Sequence, residues 1–148
     1  MMVDRFVSAP LELPDPEAQF ARADLTFYDV DHSGSSFEAR VYLDNADATV
    51  DTGRDDPGYA GSFTIFGHGG CFGDEGHCDV PTGPQDPFDL SPPHQLTPQV
   101  KVVVVTEALR RALAAGRREI TVTVVAQTPG EQSNDVLAFS TVRLLAYK

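Results

Sequence analysis

Apolar and polar positions alternate along most of this chain, and the alternation is cleanest over residues 37–44. Phe37, Ala39, Val41 and Leu43 fall on one side there, and Glu38, Arg40, Tyr42 and Asp44 on the other. Successive side chains of a strand point to opposite faces, so this segment predicts a half-buried strand with an apolar inner face. Ala23–Val30 reads as a strand before it. Ala60–Gly67 reads as one after it, with Phe63 and Ile65 on one face. Val100–Val105 is a β-branched run and predicts a buried strand. Glu119–Ala126 alternates again through Ile120, Val122 and Val124. Asp135–Tyr147 alternates imperfectly, which predicts a last strand with a bulge or with both faces buried.

One segment has the helical period instead. Thr106 is placed as an N-cap, Glu107 lies in the first turn, and Leu109, Ala112 and Leu113 make a short apolar face. Gly116 stops the helix, with Arg110, Arg111 and Arg117 near its negative end. The predicted order is three strands, a long loop, a strand, a short helix and two strands. That order predicts an all-β fold: an antiparallel β-sandwich of six or seven strands with one short helix and a long Cys/His-rich loop. The 148 residues suit one domain, and 12 Gly and 11 Pro suit a turn-rich one. Residues 1–19, with Pro10, Pro14 and Pro16, read as an extended arm, and residues 20–148 as the sandwich domain.

Charge narrows the range of partners. Asp and Glu number 22 against 11 Lys and Arg, a formal net charge of −11. Such a chain repels phosphate backbones and anionic bilayers, so neither nucleic acid nor membrane is an expected partner. A basic partner or a cation fits this acidity, and so does simple solubility. No apolar run is long enough to span a bilayer, and residues 1–16 have no apolar core of a signal peptide. The expected location is cytoplasmic, with export alongside a signal-bearing partner left open. The sequence predicts no oligomeric state.

Three clusters carry candidate chemistry. Asp29-Val30-Asp31-His32-Ser33-Gly34 begins like a calcium loop, but Arg40 stands where the closing bidentate Glu is required. It is read as a hairpin turn. Asp44, Asp47, Asp51, Asp55 and Asp56 form an acidic loop, read as solvated. Residues 67–98 form the third cluster, an irregular stretch with six prolines, six glycines, both cysteines and three of the four histidines. Within it His68, Cys71, His77 and Cys78 offer two imidazoles and two sulfurs, a donor set suited to zinc or copper(I). A Cys71–Cys78 disulfide and a pair of free thiols are the alternatives. Cys71 beside a histidine is also a candidate nucleophile, although nothing in the sequence supplies an oxyanion hole. The residues by themselves keep two functions open: a metal-stapled binding module, and a small thiol- or metal-dependent enzyme.

Several stretches together resemble the C-terminal domain of plant polyphenol oxidases and their bacterial tyrosinase-like relatives. They are Phe37-Glu38-Ala39-Arg40-Val41-Tyr42-Leu43-Asp44-Asn45, Tyr59-Ala60-Gly61-Ser62-Phe63 followed by His68, Val102–Leu113 followed by Ile120–Ala126, and the final strand Phe139–Leu145. The resemblance runs from about residue 20 to the end. It implies a β-sandwich that covers the dinuclear copper site of a type 3 copper oxidase and keeps the enzyme latent. In that family six histidines hold the copper pair, whereas this chain has 4. The resemblance therefore implies a non-catalytic cap or maturation subunit, with the oxidase as its partner. Phe72, Phe88 and His94 are expected at that interface, and the Cys/His cluster is a candidate for handling copper.

Overall fold

The computed structural model describes residues 1–69, 74–76, 78–90, 96–130 and 133–148. Among these described residues nine strands and one helix follow in order: β1 (Arg5–Val7), β2 (Leu11–Glu12), β3 (Arg22–Val30), β4 (Phe37–Leu43), β5 (Tyr59–Ile65), β6 (Gln99–Val104), α1 (Thr106–Ala114), β7 (Glu119–Ile120), β8 (Val122–Gln127) and β9 (Thr141–Tyr147). One antiparallel sheet has the order β1-β8-β4-β5 and the other β6-β3-β9, while β2 and β7 form a separate two-stranded ladder. The all-β, antiparallel expectation holds, with one short helix.

The core lies between the two larger sheets. Phe37, Ala39, Val41 and Leu43 from β4, with Phe63 and Ile65 from β5, meet Ala23, Leu25 and Phe27 from β3, with Val103 from β6. The alternation of β4 thus puts its apolar set inward, as the sequence predicts. The Phe27 ring packs against Phe63 at 5.0 Å and against Phe139 at 5.3 Å, joining the sheets through aromatic contacts.

Several features differ from the sequence reading. The segment after β3 is no hairpin turn, because β3 and β4 belong to different sheets and 31–36 crosses between them. Tyr42 is fully buried rather than outward: the acidic loop folds over it, and its hydroxyl donates to the Thr52 carbonyl at 2.6 Å. The loop read as solvated therefore covers a second small core of Tyr42, Ala48 and Val125. The β6 run is an edge strand buried on one face only, with Val100, Val102 and Val104 exposed by 57%, 45% and 53%. Thr106 does not cap its helix. Val105 takes the N-cap place with no side-chain cap, and the Thr106 hydroxyl oxygen accepts from the Ala23 amide at 3.1 Å instead.

The proline-containing start is woven into the fold. β1 pairs with β8, β2 pairs with β7, and Val3 bridges to Leu137. Extended backbone suits proline neighbours, and both short strands lie between prolines or before them. Phe6 packs edge-on against Phe139 at 4.8 Å.

Candidate functional site

Three chain segments converge where β3 ends, β5 ends and β6 begins. The crossover 31–36 is fixed locally by Asp31, whose Oδ1 accepts from the Ser33 amide at 2.8 Å and the Ser33 hydroxyl at 2.7 Å. Such an Asx turn substitutes a side chain for a backbone partner. The segment after β5 lies against this crossover. The His68 amide donates to the His32 carbonyl at 3.1 Å and the Gly69 amide to the Gly34 carbonyl at 2.9 Å. The Gly67 amide donates to Ser36 Oγ at 3.0 Å. A Cβ at Gly67 would overlap the Gly34 carbonyl oxygen, so glycine is what allows this close approach.

The two backbones carry two imidazoles together. The His32 and His68 rings have centroids 4.9 Å apart and an interplanar angle of 63°. His32 is 4% exposed, whereas His68 is on the surface. His32 Nε2 lies 2.8 Å from the Thr97 carbonyl oxygen, and His68 Nδ1 lies 3.1 Å from the His32 carbonyl oxygen. A carbonyl oxygen only accepts, so the proton sits on Nε2 of His32 and on Nδ1 of His68. In its neutral form each ring then presents one bare lone pair, on His32 Nδ1 and on His68 Nε2. His32 Nδ1 is buried and has no hydrogen-bond partner among the described residues.

His32 also ties the base of the long loop. Its carbonyl holds the departing end through His68, and its ring holds the returning end through Thr97. Sequence reasoning missed His32 because it was absorbed into a turn motif. The available signal was its place one residue after an aspartate at the end of a strand, which gave no hint of pairing with His68.

The other sequence-predicted residues divide in two. Cys71, Phe72, His77 and His94 lie outside the described residues. Cys78 is disulfide-bonded, and a sulfur in that state offers no thiolate. Among the described residues no group of three or more His, Cys, Asp or Glu is arranged to hold a metal ion. Phe88 is 92% exposed and Leu90 94%. A turn holds Phe88 in place: its amide donates to Asp86 Oδ1 at 2.8 Å, and the Asp89 amide donates to the Asp86 carbonyl at 2.9 Å.

Beside β4 lies an open groove lined by Ser36, Phe37, Glu38, Thr64, Gln127, Thr128 and Pro129. Its one acid, Glu38, is engaged by Arg40 at 2.7 Å and Arg54 at 2.9 Å. The Arg40 hydrogen bond and then the Arg54 contacts hold this carboxyl below the usual glutamate range, against the effect of burial. That keeps Glu38 ionised and paired, the opposite of a proton-donating acid.

No protein-family model matches the chain, and no curated protein matches it in sequence. Solved structures do match in shape. A latent aurone synthase (polyphenol oxidase) from a natural source overlays 97% of this chain with a TM-score of 0.59 and 16% sequence identity. The chain has the fold of one part of a polyphenol oxidase. The recombinantly expressed latent aurone synthase gives the same values, and its co-crystal with hexatungstotellurate(VI) a TM-score of 0.58. In each case the match spans 24% of the oxidase chain, so this protein covers about a quarter of the length of the enzymes it resembles. At this identity the likeness is one of fold. It agrees with the C-terminal-domain resemblance carried by the β4 and β5 motifs.

Proposed function

We propose that this domain is a non-catalytic cap for a type 3 copper oxidase of the polyphenol oxidase kind, shielding the mouth of its active site. The observation that carries the reading is the overlay of nearly the whole chain on a quarter of a latent polyphenol oxidase. The exposed aromatic and aliphatic side chains of the long loop support it. A ring such as Phe88 buries much apolar area on few rotatable bonds, which suits a plug for a pocket that accepts phenols. Leu90, two residues on, is exposed as well. The acidic balance gives the cap a field that attracts a basic rim.

Co-expression with a type 3 copper oxidase lacking its own cap tests this. Co-purification and a fall in phenol oxidation are expected. Separate elution with unchanged oxidation would overturn the reading. Phe88→Ser with Leu90→Ser should restore activity while leaving the sandwich folded, because neither side chain belongs to the core.

A further inference from the structure

We propose that His32 and His68 form a two-imidazole site for a borderline transition-metal ion, zinc(II) or copper(II). The site takes only His68 from the loop cluster suggested by the sequence and pairs it with His32 of the crossover, and it does not rest on the capping reading. Three observations converge on it. Each ring gives its one N–H to a backbone carbonyl, as metal-ligating histidines commonly do to fix the ring and leave the other nitrogen bare. One of the bare nitrogens, His32 Nδ1, is buried without any partner among the described residues, an arrangement that costs desolvation with nothing to offset it. An ion bound there supplies the missing partner. The ring spacing also fits: two imidazoles sharing a tetrahedral ion at metal–nitrogen distances of about 2.0–2.1 Å have centroids roughly 5 Å apart, and the observed separation is 4.9 Å.

Nitrogen donors select the class of ion. Imidazole suits zinc, copper and nickel, whereas calcium and magnesium require oxygen. Copper(II) binds tightest of the divalent series, with zinc(II) below it. Two protein ligands, one of them exposed, leave coordination positions open to water or an incoming group, so this is an exchangeable site rather than a closed structural one. Its place gives it a consequence. His32 already joins both ends of the long loop, and an ion shared with His68 locks the departing end against the crossover.

Two substitutions keep the backbone hydrogen bonds and delete only the ligand nitrogens. In His32→Gln the amide nitrogen reaches the Thr97 carbonyl, and in His68→Asn it reaches the His32 carbonyl. Zinc(II) is titrated into the oxidised full-length chain by calorimetry, with imidazole nitrogens followed by NMR. The expected result is one ion per chain, with the His32 Nδ1 and His68 Nε2 resonances shifting together. Each variant should weaken binding by at least the ~10–100-fold that loss of an outer partner costs. No binding by the wild-type chain overturns the proposal. So does binding that shifts neither resonance, or that survives His68→Asn undiminished. If His32→Gln fails to fold, the wild-type resonances still decide.

Discussion

At Gly61 the backbone adopts φ 140°, and a Cβ there would come within 2.7 Å of Val103 Cγ1 on the facing sheet. The Ala-Gly-Ser-Phe stretch of β5 thus has a physical reason at its second position: the sheets approach closely over it. Gly61→Ala should cost about 1–3 kcal/mol by forcing that contact apart, read as a lower urea midpoint with an unchanged slope. Tyr42→Phe removes the hydroxyl that ties the acidic loop to β4 and should cost about 1 kcal/mol. Glu38 gives a pH signature. Its folded carboxyl titrates below its unfolded value, so its contribution is complete above the ordinary glutamate range and is lost as pH falls through the depressed folded value. Glu38→Gln should therefore cost up to about 1 kcal/mol at neutral pH, with the gap to wild type closing in acid denaturation curves. At this scale the sequence was legible where side chains follow strand alternation, as at Phe37 and Val41. It was opaque where a distant loop decides: Tyr42 occupies a polar-face position and is buried only because residues 44–58 cover it. His32 was opaque for the same reason, since its partners are 36 and 65 positions away.

The elements show which local patterns survive packing. β3, β4 and β5 lie within a residue or two of their sequence-predicted spans, because alternation with turn residues at both ends leaves one register that buries the apolar face. β6 was misjudged because a valine run looks the same whether one face or both are covered. Lys101 was the clue to an edge position. The outer valines of β6 are a liability on an unpaired edge. Val102→Lys should leave the thermal midpoint nearly unchanged while lowering self-association in sedimentation measurements. The arm was read as extended, and it is extended; its pairing with β8 and β7 depends on contacts more than a hundred residues away, which local pattern does not encode. Deleting residues 1–8 uncovers the β8 edge and the Phe6 contact with Phe139, and should lower the unfolding midpoint and broaden the transition.

For the whole molecule, the sheet order explains how a sandwich comes to present a loop. β3 and β5 end, and β6 begins, at one end of the fold, and the long segment between β5 and β6 leaves and returns there through His32. The class of fold was legible from strand count and turn chemistry, whereas the crossover of β3 to β4 between sheets was not, since a short turn serves a hairpin and a sheet change equally well. In the capping role proposed above, the exposed Phe88 and Leu90 of this segment are the side chains offered to the oxidase. The most direct test is the rate of phenol oxidation by a type 3 copper oxidase lacking its own cap, measured as this domain is added. A saturable fall in rate, relieved by Phe88→Ser with Leu90→Ser, is the predicted result. A rate that stays constant at every concentration of the domain would contradict the capping role.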